Sequence, residues 1–374
     1  MYLSSLSLRH FRNYIEQHVD FSAPKVILVG QNAQGKSNLL EGIELLSTLR
    51  SHRTSRDQDL IRDAEPIGQI SAILERQSGS VDLKLTLRSN GRRTVAVNSE
   101  AVRRQLDFLG NLNAVQFSTL DLDIVRGGPA ERRQWLDAVL IQLEPLAAYV
   151  LQQYQHVLKQ RNALLKQHRV HGTPLDPQQL DLWNQQLATA GVRVIERRRR
   201  LLERLAPLAA HWHSRISGHH EQLQLVYQPN VEPEPQSPEA AQSHFLAQLQ
   251  DKSTAEQYQG QTLVGPHRDE ISMTLNQTPA RQYGSQGQQR TLILALKLAE
   301  LTLIDEVVGD PPLLLLDDVL AELDLNRQNQ LLDAIQERFQ TFITTTHLGA
   351  FDANWLHAAQ ILTVESGRLV WPKA

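Results

Sequence analysis

Gly30-Gln31-Asn32-Ala33-Gln34-Gly35-Lys36-Ser37 fits the pattern G-x-x-x-x-G-K-[ST], the glycine-rich loop that cradles phosphate groups. Gly30 and Gly35 permit backbone angles and close approaches that a side chain would block. Successive backbone N–H groups can then wrap an anion. Lys36 would reach the β and γ phosphates, and the Ser37 hydroxyl would hold Mg²⁺. A second constellation is Leu313-Leu314-Leu315-Leu316-Asp317-Asp318, an apolar run behind Pro311-Pro312 that ends in two acids. Its first acid, Asp317, is expected to hold Mg²⁺ directly or through water. The second, Asp318, is expected to orient or deprotonate an attacking water. An apolar run ending in Asp-Asp carries little weight alone, and much more in a chain that also has a phosphate loop.

Three further places carry candidate chemistry. Tyr283-Gly284-Ser285-Gln286-Gly287-Gln288-Gln289-Arg290 puts small residues and a hydroxyl at the start of a helix marked by Leu292, Leu294, Ala295, Leu298, Ala299 and Leu301. It reads either as an ordinary polar helix start or as a second anion-binding helix terminus. Phe342-Ile343-Thr344-Thr345-Thr346-His347 is a β-branched strand ending in histidine. If that strand neighbours the one bearing the acids, His347 is placed to sense a γ-phosphate. Arg12 is either a solvated charge or, lying close before the phosphate loop, a nucleotide contact.

The elements that must position these groups follow from pattern. Val26 to Val29, after Pro24, reads as a short buried strand, and Asn38 to Leu46 as a helix, so bound phosphates would sit at a helix N-terminus. Leu3, Leu6, Leu8 and Phe11 suggest an edge strand. Ile70–Arg76 and Val81–Leu87 alternate around Gln77-Ser78-Gly79-Ser80, a hairpin signal, and Asn90-Gly91 marks another turn before Thr94–Val97. Antiparallel strands so near a phosphate loop point to a head with an added antiparallel sheet. From Pro129 to about Gly218 the period becomes helical. Tyr149–Lys166 is one helix, and a second starts at the cap Asp176-Pro177 and runs to Ser217, roughly 60 Å at 1.5 Å per residue. Joined by His171-Gly172-Thr173-Pro174, they make an antiparallel arm. The run Arg197-Arg198-Arg199-Arg200 on it is read as a solvated face or as a DNA contact, together with Arg50, Arg53 and Arg56 of a basic, turn-rich piece. Pro229–Pro238 is acidic, proline-rich and without apolar period, and reads as a linker. The expected organisation is therefore 1–128 as the N-terminal half of the head, 129–227 as the helical arm, 228–242 as the linker and 243–374 as the C-terminal half of the head.

Composition narrows the classes. The 374 residues are 41% apolar and 21% charged with a net charge of −3, so a nucleic-acid site must be a local patch. With no cysteine, disulfides and Cys-ligated metals are excluded. No signal peptide and no membrane-crossing stretch is expected, and a soluble, cytoplasmic protein is.

The set resembles the ATP-binding-cassette ATPases of the SMC type and, within them, the RecF family. The blocks that carry the resemblance span nearly the whole chain: Phe11-Arg12-Asn13-Tyr14, the phosphate loop through Asn38-Leu39-Leu40-Glu41, Arg50-Ser51-His52-Arg53, Arg161–Lys166, Gly265-Pro266-His267-Arg268-Asp269 and Ser285–Arg290. Ser37 stands where many members have threonine, and Ser285-Gln286-Gly287-Gln288 replaces a transporter-like Ser-Gly-Gly-Gln. Gln116 is the candidate for the Q-loop glutamine. The resemblance implies an α/β fold, an ABC-type head of P-loop core sheet plus antiparallel β subdomain, with an inserted helical arm. It implies that ATP with Mg²⁺ binds one subunit while Ser285, Gln286, Gly287 and Gln288 of a second close over the γ-phosphate, so that ATP glues a head-to-head homodimer. Asp318 and His347 would then serve a slow, DNA-dependent hydrolysis that releases it. DNA (single-strand gaps, single-strand/double-strand junctions or duplex) and the proteins RecO and RecR, in loading RecA, are the partners the resemblance implies. Alternatives are a DNA clamp that binds ATP without hydrolysing it, a transporter ATPase subunit and a long-armed cohesin-like or Rad50-like protein. The long separation of Gly35 from Ser285 argues against the transporter, and an arm this short without a hinge against the last.

Overall fold

The computed structural model describes residues 1–374 except 173, 233–236, 321, 322, 324, 336, 337, 352 and 371–374. Its chain forms two compact units. One comprises Met1–Leu122, His211–His220 and Arg290–Ala374, the other Asp123–Ala210 and Glu221–Gln289.

The first unit is built on a parallel sheet in the order Arg368–Val370, Ala359–Glu365, Lys25–Val29, Thr341–Thr345, Leu313–Asp317, Ala114–Phe117, with only its Ala359/Arg368 hairpin antiparallel. Strands covered on both faces read as unbroken apolar runs, which is why Val26–Leu28 and Leu313–Leu316 are fully buried. Register pairs Asp317 with Thr344, and Thr344 in turn with Leu28. The carboxyl ends of the three central strands are thereby level, and open α/β sheets bind ligands at that edge.

A second, antiparallel sheet runs Tyr14–Asp20, Tyr2–Phe11, Ile67–Arg76, Gly79–Arg88, Arg93–Val97, Glu100–Ala101. Leu83, Leu85 and Leu87 point inward, as their alternation predicts, while Asp82 and Lys84 face out. The first strand is not an edge. Tyr14–Asp20 lies outside it, a strand whose only deeply buried residues are Tyr14 and Val19 and whose Glu16, His18 and Asp20 are exposed. Charges of this kind protect a sheet edge from further pairing. Helix Lys36–Thr48 packs against strands of both sheets. It is therefore buried on most of its faces, with Leu39, Leu40, Ile43, Leu45 and Leu46 in the core both sheets share and the polar Lys36, Glu41 and Ser47 buried beside them. Gly42 brings it close to the antiparallel sheet, where a Cβ would stand 3.0 Å from Leu8.

The second unit is helical around a small sheet of Thr278–Pro279, Glu270–Leu275 and Leu223–Gln228. Helices Leu146–His171 and Pro177–Ile216 form the expected pair, the longer one 40 residues with Asp176 capping the Gln178 N–H at 2.9 Å. Arg161 bonds Asn184 across the pair, and Arg197, farther along the second helix, bonds Glu144 just before the start of the first, so the two helices run antiparallel. Residues 243–289, assigned to the head from sequence, cluster with this unit. Helix Pro238–Gln259 was missed: Ser237 caps it, and its narrow stripe Ala241, Phe245, Leu249 is buried among Tyr154, Leu158, Leu187 and Val194. It takes up the last residues of the expected linker. Residues 233–236 of that linker lie outside the described residues, whereas Val231 is buried and Asn230 is hydrogen-bonded to Gly265 and Asp269.

Candidate nucleotide site

The phosphate loop follows the buried strand Lys25–Val29, and Gly35 caps the helix beginning at Lys36 with φ 119°. Both glycines are sterically required. A Cβ on Gly30 would meet the Val364 carbonyl oxygen at 2.4 Å, and one on Gly35 the Asn13 amide at 2.7 Å. The Lys36 ammonium rests on the loop's own carbonyls, Gly30 at 2.8 Å and Gln31 at 3.1 Å. Carbonyl dipoles leave its full charge available to an anion.

Ser37 Oγ donates to Asp317 Oδ1 at 2.8 Å. Two residues far apart in the chain thus present hard oxygen donors side by side. This donor set suits Mg²⁺, which is held by one or two protein oxygens plus phosphates and water. Thr344 Oγ1 also donates to Asp317 Oδ1 at 2.8 Å and accepts the Asp318 N–H at 2.9 Å. Asp318 has φ 55°, a left-handed conformation that costs a non-glycine residue about 1 kcal/mol. Burial raises the pKa of its carboxyl, Asp317 adds to the rise and Lys36 opposes it. His347 stands exposed just past the strand paired with the Asp317 strand, its backbone held by Thr345. Of Ala321-Glu322-Leu323-Asp324, which follows the two acids closely in sequence, only Leu323 is among the described residues.

Two residues overlooked in the Phe11–Tyr14 block brace the loop. Asn13 donates to the Gln34 carbonyl and accepts from Asn38, both at 2.8 Å, and the Tyr14 hydroxyl donates to the Gly35 carbonyl at 3.0 Å. Their signal in sequence was only proximity to the loop. Arg12, read from sequence as a solvated charge or a nucleotide contact, places three of its five N–H donors on the protein itself. It forks onto Glu41 at 2.8 and 2.6 Å and reaches the Asp59 carbonyl at 2.7 Å. Glu41 is fully buried and also accepts from Ser51 at 2.5 Å and Arg53 at 3.4 Å. Gln116 lies on the sheet's outer strand, 3.4 Å from His52, which is itself paired with Glu44.

In the second unit, Ser285 caps the helix from Gln286 in a reciprocal box. Its Oγ accepts the Gln288 N–H at 3.2 Å, and the Gln288 side chain accepts the Ser285 N–H at 2.8 Å. The arm arginines are not a free basic face. Arg197 pairs with Glu144, Arg199 with Glu232 and Arg200 with Glu196. Arg198 is buried, forked onto Asp137 at 2.8 Å and bonded to Asp269 at 3.1 Å. Acids neutralise the run, and all but Glu196 are distant in sequence. Arg50 and Arg56 are exposed and make no side-chain bond among the described residues.

Fold and site together define an ABC-type ATPase head of the SMC class. The model of the RecF/RecN/SMC N terminal domain matches residues 2–367. A protein named DNA replication and repair protein RecF from Acaryochloris marina is 71% identical, covering 99% of both chains, and its namesake from a Cyanothece species is 69% identical over 98% of this chain and 97% of its own. The structure described as the recombination mediator protein RecF-ATP in the RecFOR pathway superposes with a TM-score of 0.91 at 31% identity, covering 99% of this chain and 97% of that one. The Pyrococcus furiosus Smc head shares the fold, with a TM-score of 0.54 at 16% identity. The chain belongs to the RecF family. Among the described residues no helix is long and apolar enough to cross a membrane.

Proposed function

We propose that this chain binds ATP with Mg²⁺ on the loop Gly30–Ser37 and hydrolyses it slowly to time its hold on DNA. The Ser37–Asp317 contact carries the reading: a P-loop hydroxyl beside a strand-end carboxylate is the donor pair a magnesium–triphosphate complex needs. N–H groups of Gln31, Asn32, Ala33, Gln34 and Gly35 wrap the phosphates, Lys36 neutralises the β and γ groups, and Asn38 steadies the loop through Asn13. Ser37 and Asp317 would hold Mg²⁺, which would supply charge neutralisation at the phosphates. Asp318 accepts a proton from the water that attacks the γ-phosphorus. The bond to the bridging oxygen breaks and ADP keeps its electron pair. His347 senses the γ-phosphate.

The loop of one copy and Ser285–Gln288 of a second enclose the same triphosphate, so ATP closes a homodimer and hydrolysis opens it. The dimer binds gapped, junction or duplex DNA, with RecO and RecR as partners in loading RecA. Arg50 and Arg56 supply phosphate contacts without any base-reading element, so recognition follows DNA structure rather than sequence. The test is sedimentation together with DNA titration in no nucleotide, ADP, ATP and a non-hydrolysable analogue. Dimer and tight DNA binding are expected only with the last two, and DNA affinity is expected to fall as salt rises. An unchanged dimer fraction across all four states would refute the switch.

A further inference from the structure

We infer that Thr344 is a positioning residue that aligns both acids of the nucleotide site through one hydroxyl. The inference rests on the proposed ATP reading for its consequence, but its geometry stands apart from any ligand. Thr344 is 1% exposed on the strand Thr341–Thr345, in register with Asp317. Its hydroxyl has one proton and two lone pairs. The proton goes to Asp317 Oδ1 at 2.8 Å, and a lone pair receives the Asp318 N–H at 2.9 Å. One group therefore fixes the side chain of the first acid and the backbone of the second.

Each bond has a definite effect. Asp317 Oδ1 accepts from both Ser37 and Thr344, so the carboxylate is oriented, and Oδ2 makes no bond among the described residues. The ladder with the neighbouring strand ends at Asp317, so the next N–H needs another acceptor. Thr344 supplies it, and the turn this permits is the left-handed φ of 55° at Asp318. Without that acceptor, nothing in the ladder holds a non-glycine residue there, and the Asp318 carboxylate would swing with its backbone. The next residue, Thr345, points to the opposite face of the strand and bonds both the N–H and the carbonyl of His347. Two consecutive threonines thus place two acids and the histidine, and the sequence marked them only as members of a β-branched strand.

Thr344→Val keeps the shape and removes both bonds, while Thr344→Ser keeps the hydroxyl. ATP binding without divalent metal should be unchanged in both, because Lys36 and the loop N–H groups are untouched. In Thr344→Val the Mn²⁺ affinity of the ATP complex, read by electron paramagnetic resonance, and kcat should fall about ten- to a hundred-fold, the usual effect of losing a group that orients a ligand. Thr344→Ser should restore both. Equal losses in the serine variant, or unchanged Mn²⁺ affinity and kcat in the valine one, would overturn the assignment. A second readout needs no nucleotide: Thr344→Val should lower the melting temperature less in an Asp318→Gly background, because glycine holds a positive φ without help. Additive losses would overturn the positioning role. Absence of ATP binding in the parent protein would instead strike the functional reading, and the melting cycle would still decide on Thr344.

Discussion

Replacing Glu41 by alanine removes the acceptor on which the first-strand end, the phosphate-loop helix and the basic loop converge. Its carboxylate is fully buried and takes two bonds from Arg12, one from Ser51 and one from Arg53. Breaking a buried pair by deleting one partner costs about 3–5 kcal/mol. The Arg12 side chain keeps 17% of its exposure and one bond to the Asp59 carbonyl, which brings the cost to the bottom of that range or just below it, about 2–3 kcal/mol. For a unit of this size each kcal/mol moves the melting temperature about 2–4 °C, so the fall should be about 4–12 °C. The assay is thermal unfolding of the ligand-free chain, run as a cycle with Arg12→Met. Removing both partners leaves no stranded buried charge, so the double variant should lose less than the sum of the two single ones. Strict additivity would refute the claim that Arg12 serves Glu41. So would Arg12→Met weakening ATP binding while leaving stability intact, since that is the signature of a direct nucleotide contact.

The arm arginines should separate sharply. Arg198→Met strands Asp137 and the buried Asp269 and should cost about 3–5 kcal/mol in urea unfolding. Arg200→Ala loses only an exposed pair with Glu196 and should cost less than about 0.5 kcal/mol. Neither should change the salt dependence of DNA binding, whereas Arg50→Ala with Arg56→Ala should lower its slope by about 1–2. Acid should weaken the second unit through His267. Burial first, then Arg268, Arg133 and Arg161, push its pKa from the usual 6.5 down to about 4. Its Nε2 faces the Thr262 carbonyl at 3.1 Å, so Nε2 carries the proton and Nδ1 accepts from the Tyr154 hydroxyl at 2.6 Å. The unfolded chain then binds the extra proton more readily, and stability falls as pH drops from 6.5 toward 4, by about 3 kcal/mol at most. Melting curves of His267→Gln over that window should be flatter than those of the parent, and parallel curves would exclude His267 as the cause.

What was legible in sequence was whatever depends on neighbours along the chain. The phosphate loop, the acid-tipped strand and the long capped helix each declare themselves within a dozen or so residues of their start, because loop geometry, two-sided burial and capping are local. Pairing across the chain was not legible. Nothing near Arg198 announces Asp137 or Asp269, and nothing near Arg12 distinguishes a phosphate from Glu41 as its acceptor. The same holds for Asn13 under Gln34 and for Thr344 beneath two acids on another strand. Strand Tyr14–Asp20 and helix Pro238–Gln259 escaped because each buries only a narrow stripe, too sparse to set a period against polar surroundings.

The proposal that two copies share one triphosphate is tested most directly by mixing two inactive chains, Lys36→Ala and Ser285→Ala. If the loop of one copy works with the serine of the other, mixed dimers regain one whole site, and ATP turnover should return to about a quarter of the parent's, the share set by random pairing in a two-fold dimer. A mixture as inactive as its components would mean that each chain must supply both halves itself.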